Sequence, residues 1–219
     1  IMFAGLLLFF GLALNPLLEN YKTEVVNNMI SDYQYVLKAP VETSNDAAEK
    51  FCMTTLYESN DEEISAYGIE EDSEYLSKVN VPKKKNEVVA SQGYLEKYSL
   101  KVGDKVTLKD KYGENKYTFK IVGSYYYPAS LCVFMTNDNF NDVFDKDDGY
   151  FTGYFSNEKL KDIDDKYIAT TITQKDLTTV TDQLDDSMGM SFTLLVGFSV
   201  LIYIILMYLL SKLVIEKNE

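Results

Sequence analysis

Ser187–Ser211, SMGMSFTLLVGFSVLIYIILMYLLS, runs for 25 residues without a charge. As a helix rising about 1.5 Å per residue it is longer than the roughly 30 Å hydrocarbon core of a bilayer. A buried helix of a soluble domain is the alternative. Such helices are normally shorter and keep a polar face, and this stretch has none. Everything before it is expected to be tethered to a membrane or threaded through one.

The other end of the chain repeats the signal in weaker form. IMFAGLLLFFGLALNPLL, residues 1–18, carries no charge and would reach roughly 27 Å as a helix, just long enough to span. A secretory signal peptide would need a basic start and a small-residue cleavage site, and the chain opens on Ile with neither. Pro16 would end or kink a soluble helix but is tolerated near the end of a span. The opening Ile and the abrupt Glu219 suggest a segment of a longer polypeptide. Two spans are therefore expected, residues 1–18 and 187–211, with 212–219 as a truncated cytoplasmic tail.

Between them, residues 19–186 hold all but two of the 34 acids and all but two of the 21 bases, and so the whole net charge of −13. Lys212 at the membrane edge and the large acidic middle favour tail inside and domain outside. The acidic surface argues against nucleic acid and against docking on anionic lipid. The chain has no Arg, no His and no Trp, but 18 Tyr. That is the composition of an AT-rich genome. Cys52 and Cys132 are the two cysteines. An outer location permits a disulfide, but both lie in apolar strand-like runs, which favours buried free thiols.

Hydrophobic periodicity divides the middle into short elements. Val25, Val26, Met29, Ile30 and Tyr33 fall near helical spacing, so residues 19–32 are expected as a stalk helix leaving the first span. YQYVLKAP reads as a strand closed by Pro40, and NDAAEKF as a short helix capped by Asn45 or Asp46. CMTTLY and EISAYGI read as strands turned by Ser59, Asn60 and Asp61. Residues 70–85, polar and rich in lysine, read as a surface connection holding a short helix, with a candidate subdomain boundary near 70–86.

NEVVAS opens a denser β region. QGYLEKYSL follows as a helix, then KVGDKVTLKD and NKYTFKIVGSYYY as strands reversed at Tyr112–Asn115. SLCVFMT is a strand, NDNFNDVF a capped helix, GYFTGYF and KYIATTIT two further strands. KDLTTVTDQLDD, residues 175–186, is expected as a second stalk helix running into the second span. The expected fold is an α+β extracellular domain, residues 33–174, carried on two helical stalks continuous with two transmembrane helices.

Asn86–Gly123, NEVVASQGYLEKYSLKVGDKVTLKDKYGENKYTFKIVG, resembles a segment of the extracytoplasmic domains of FtsX/MacB-like permeases of ABC transporters. The pattern is a strand, a small helix, L-x-V-G-D into a strand, and a hairpin ending V-x-G. Leu100, Val102, Gly103, Asp104, Val122 and Gly123 occupy those positions. Gly103 and Asp104 make a turn and Gly123 permits a bend or bulge, so these residues build the domain and do no chemistry. YIILMYLLSKLVIEKNE and the FGLALNPLLENY exit of the first span are also similar to the spans flanking such domains, whereas residues 40–85 match only loosely.

The resemblance implies a permease subunit that is not itself an enzyme. An ABC-type ATPase would be its partner, with a second permease copy as a further candidate and no cofactor. ATP-driven motion of the stalks would move the outer domain for export, peptide resistance or envelope signalling. A two-span sensor with an outer ligand domain is the rival reading, and an anchored enzyme the third.

Chemistry is sparse. Without His there is no Ser-His-Asp or Cys-His arrangement and no imidazole metal site. Asp145–Gly149 faintly resembles a calcium loop, but its Gly comes one place early and Ser156 stands where a bidentate Glu belongs. No phosphate-binding loop occurs, so ATP would be handled by another chain. The acid runs 61–63, 70–72 and 162–165 read as solvated faces. Tyr125, Tyr126 and Tyr127, before Pro128, are the candidate binding surface, since strand alternation would expose part of the run.

Overall fold

The computed structural model describes residues 2–217, without the side chains of residues 2–4, 7, 8, 10, 11, 14, 15, 185 and 187–192. The spans expected over residues 1–18 and 187–211 lie partly outside that set. Two compact units are distinguished, Val25–Leu177 and a unit of Ile1–Glu24 with Thr178–Glu219.

The second of these is helical. It holds most of α1 (Met2–Asn27), with Pro16 inside it, and most of α4 (Gln174–Lys217). Among the described residues, Thr193–Lys217 is the one helical stretch long and apolar enough to cross a membrane. Phe198, Ile204, Tyr208 and Leu213 are each more than 60% exposed along it. Such a continuous apolar surface suits lipid and not water. Within this unit Thr178, Thr181 and Ser199 are buried, and Lys22 of α1 pairs with Asp182 of α4.

Unit Val25–Leu177 is α+β. Its strands are β1 (Tyr33–Leu37), β2 (Glu49–Tyr57), β3 (Glu63–Ile69), β4 (Glu87–Ser91), β5 (Lys105–Lys109), β6 (Lys116–Tyr125), β7 (Cys132–Thr136), β8 (Gly153–Ser156) and β9 (Ile168–Thr173). Helix α2 (Gln92–Tyr98) follows β4, α3 (Asn137–Val143) follows β7, and a 3-10 turn, Asp165–Tyr167, precedes β9. The strands form one mixed sheet in the order β3-β7-β4-β6-β5-β2-β8-β1-β9, and β3 also pairs with β2. Six strands thereby close into a ring, joined between β2 and β5 at Tyr57 and Lys109.

The long strand β2 belongs to two surroundings. Glu49–Phe51 pairs with β8, and Cys52–Tyr57 pairs with β3. Alternation along the ring strands sends one set of side chains inward. Leu56, Ile64, Val88, Leu108, Phe119 and Val133 are there at most 2% exposed. A second cluster, outside that set, stacks Phe51 on Phe155 at 4.4 Å and Tyr67 on Phe134 at 5.5 Å between ring centroids.

Three local expectations give way. The stalk helix expected over residues 19–32 ends with α1 at Asn27. Residues 45–51 form no helix. Asn45 does act as a cap, accepting the Ala47 N–H at 2.9 Å, but for a single turn. Strand pairing of Glu49–Phe51 with β8 ends it. Residues 70–85 hold no helix either, and they are not merely a surface connection. Leu76, Val79 and Val81 are buried in the second cluster, and their spacing of three and two matches neither regular period. The stretch is a strap over the sheet, with the Leu76 N–H donating to Ser73 Oγ.

Close approach fixes one glycine. A Cβ on Gly153 would lie 1.9 Å from the Tyr35 carbonyl oxygen and 2.7 Å from the Phe51 ring. β8 can sit between β1 and β2 only because that position has no side chain.

Candidate functional site

A concavity of about 410 Å³ is built where β2 begins and the strap leaves β3. Asp46, Glu49, Glu70, Asp72 and Glu74 line it with Lys50 and Tyr75. Lys50 is engaged elsewhere, 2.7 Å from Glu42. The cleft is therefore acidic in effect as well as in composition. Glu49 is the acid that β2 itself supplies, and its position two residues before Phe51 turns it toward the strap.

Glu49 Oε2 accepts the Glu74 N–H at 2.9 Å, while Glu49 Oε1 is buried without a hydrogen-bond partner. Burial raises its pKa. Hydrogen bonds from Ser73 and the backbone of Glu74 and Tyr75 oppose that, and the Glu70 charge reinforces it. Beside it the Tyr75 hydroxyl donates to the Ala47 carbonyl at 2.7 Å, tying the strap to the same end of β2. The cleft can attract a cationic group, but it places no nucleophile beside an acid–base pair. Among the described residues no three acids or cysteines are grouped to hold a metal ion. Sequence reasoning missed Glu49 because it placed residues 45–51 in a helix. A strand reading of EKFCMTTLY would have put Glu49 and Phe51 on one face.

The three tyrosines are separated by the fold. Tyr125 ends β6 and packs edge-on against Phe134 at 5.9 Å. Tyr127 is 5% exposed in the second cluster, and burial raises its pKa strongly. Tyr126 alone is exposed, at 45%. Much of the run is thus core.

The motif positions are where their chemistry requires. Gly103 has φ +106°, within a turn in which the Asp104 N–H donates to the Lys101 carbonyl and the Asp104 carboxylate accepts the Lys101 N–H. A residue with a side chain would be strained there. At Gly123 the β4–β6 register shifts between Val88 and Val89, leaving Val122 unmatched as a bulge. Leu100 is half-buried and packs on the ring core, and Val102 is exposed.

Other candidates resolve simply. Cys52 and Cys132 are free and buried, and burial pushes each thiol up to about 12. The calcium-like run holds two turns, Asp145 with φ +53° and Gly149 with φ +75°. Two acid runs do structural work. Glu62 accepts from Tyr98 and Lys97, holding α2 to the β2–β3 turn. Asp162 accepts from Thr43 Oγ1 and from the backbone and hydroxyl of Ser44, which hold its carboxyl down at about 2.

Comparison with known protein families and with curated proteins returns no match.

Proposed function

We propose that this chain is part of the permease subunit of an ABC transporter of the FtsX/MacB-like kind. In this reading residues 1–18 and 187–211 are two membrane spans, residues 19–32 and 175–186 are stalks, and the α+β domain lies outside the cell. A partner ATPase binds on the inner side. ATP binding there moves the spans, the stalks carry the motion outward, and the domain converts it into export, peptide resistance or a signal to the envelope. The chain itself hydrolyses nothing and needs no cofactor.

One observation carries the reading. A single helix, Gln174–Lys217, begins directly after β9 and includes the membrane-crossing stretch Thr193–Lys217. A helix is the stiffest connection available to a chain, since each turn is braced by hydrogen bonds to the next. The turn at Gly103 and the bulge at Gly123 support the same reading, because they are the local devices of the family's motif.

Purification of the intact tagged protein from its own membranes in gentle detergent tests it, with mass spectrometry of what accompanies it. A stoichiometric ATPase with a phosphate-binding loop is expected. A histidine kinase in its place would favour the two-span sensor, and no partner at all would contradict both the ATPase and the coupling.

A further inference from the structure

We propose that the outer face of the β5–β6 hairpin docks a linear phosphate polymer. The pairing register sets Lys105 opposite Lys120 and Lys109 opposite Lys116, with Thr107 opposite Thr118 between them. The threonine hydroxyls meet at 2.9 Å. Directly opposed positions bring Cβ atoms to about 5 Å, where like charges are destabilising. Stability alone would favour Glu against Lys at such positions, and the chain has 34 acids to supply it.

Edge protection accounts for the β5 lysines alone. β5 meets β2 only at Lys109, so its lysines can guard an open edge, but β6 lies between β4 and β5 and has no open edge. The charges are neutralised only in part: Lys109 pairs with Asp61 at 2.6 Å, Lys85 with Asp142 at 2.7 Å and Lys120 with Glu87 at 4.0 Å. Among the described residues Lys105 and Lys116 have no ion pair. A depression lies at each end of the face. One, of about 380 Å³, is lined by Lys85, Lys105 and Lys120 together with Glu87. The other, of about 310 Å³, is lined by Lys109 and Lys116. Four residues of strand separate them, about 14 Å.

Two depressions in a row, each holding one lysine without an ion pair, fit a chain of anions better than one small anion, which needs donors converging on a point. Along the paired stretch, 105–109 with 116–120, the outward residues are lysine and threonine alone. No apolar anchor is offered to a protein partner. A nucleic acid would find no row of aromatic platforms for its bases, with Tyr57 at one end of the face and Tyr112 in the hairpin turn. A bare phosphate chain needs neither, and gains affinity by releasing counterions to the lysines.

Long-chain inorganic polyphosphate and the full-length protein in neutral detergent provide the test, by titration at several salt concentrations. Binding that weakens with salt is expected. In Lys105→Gln/Lys116→Gln affinity should fall about tenfold and the log–log salt slope should shrink by about 1.4, because two lysines no longer neutralise a phosphate each. Lys105→Arg/Lys116→Arg should keep binding, and so should Lys78→Gln/Lys161→Gln, which removes two exposed lysines elsewhere. Absence of binding by the parent protein would overturn the proposal, as would equal losses in the hairpin and control variants. A single-stranded oligonucleotide of matched charge that bound more tightly than polyphosphate would overturn the choice of ligand.

Discussion

Lys22 Nζ of α1 stands 2.5 Å from Asp182 Oδ1 of α4, joining positions 160 residues apart in the chain. Thr178 Oγ1 donates to the other carboxylate oxygen at 3.1 Å. The Lys22 hydrogen bond is the largest cause holding the Asp182 carboxyl below its usual value. Both side chains are partly exposed, at 34% and 44%. Such pairs contribute little to stability but can fix the register of two helices. In the proposed mechanism this pair ties one stalk to the other just outside the membrane.

Reversing either charge, Lys22→Glu or Asp182→Lys, should lower the thermal midpoint of the detergent-solubilised protein slightly. The double reversal should recover most of the loss. Equal midpoints in all four proteins would show that the pair does not couple the helices.

Gly153→Ala should be severely destabilising, by about 3 kcal/mol or more, because the added Cβ meets backbone and an aromatic ring with no room to yield. Gly113→Ala provides the comparison. Its φ of +72° is strained for alanine, but its surroundings are open, and a cost of about 1 kcal/mol is expected. Thermal or denaturant melts of the two variants distinguish steric collision from backbone strain.

Alkaline pH should weaken the domain in a defined window. Cys52 and Cys132 are raised from 9.0 to about 12 by burial, and Tyr67 and Tyr154 from 10.0 to about 12. Groups held neutral in the fold ionise first in the unfolded chain. Their stabilisation is complete below pH 9 and is lost as pH rises from about 9 toward 12. Denaturant midpoints measured across that range should fall steadily. In the native protein below pH 9 neither cysteine should react with a thiol reagent, and both should react once it is unfolded.

Glu49→Gln should raise stability at neutral pH. Burial raises the pKa of half-buried Glu49, so the fold favours its protonated form over the carboxylate. Glutamine keeps an oxygen for the Glu74 N–H and removes the buried charge. The advantage should shrink as pH falls through the carboxylate range, where wild-type Glu49 becomes neutral. An unchanged difference between pH 7 and pH 4 would contradict this account of the cleft.

Much of the domain was legible from pattern and turn chemistry. The β5–β6 hairpin was legible from the Tyr112–Asn115 reversal, and α2 from its place between a strand and L-x-V-G-D. The strand β9 was legible in KYIATTIT and the start of α4, to within a residue, in KDLTTVTDQLDD. The misreadings share a cause. Asn45 carries a genuine cap signal, but a cap is worth about 1 kcal/mol, and a nine-residue strand with partners on two sides outweighs it. Leu76, Val79 and Val81 belong to no regular element, so no period marked them as core. Ring closure through Tyr57 and Lys109 and the splitting of β2 between two neighbours depend on long-range pairing that local pattern does not encode. For the same reason the tyrosine run could not be divided into its buried and exposed members.

The most direct test of the central claim is ATP hydrolysis by the membrane complex with its two helices locked together. Cysteines placed at Lys22 and Asp182 can be joined by a short bis-thiosulfonate, which forms a disulfide with each thiol and releases sulfinate, and buried Cys52 and Cys132 will not compete for it. If ATP turnover requires the stalks to move, joining them should slow hydrolysis by the accompanying ATPase severalfold, and a cleavable linker should restore it. Hydrolysis at the same rate in the joined and open forms would contradict the account.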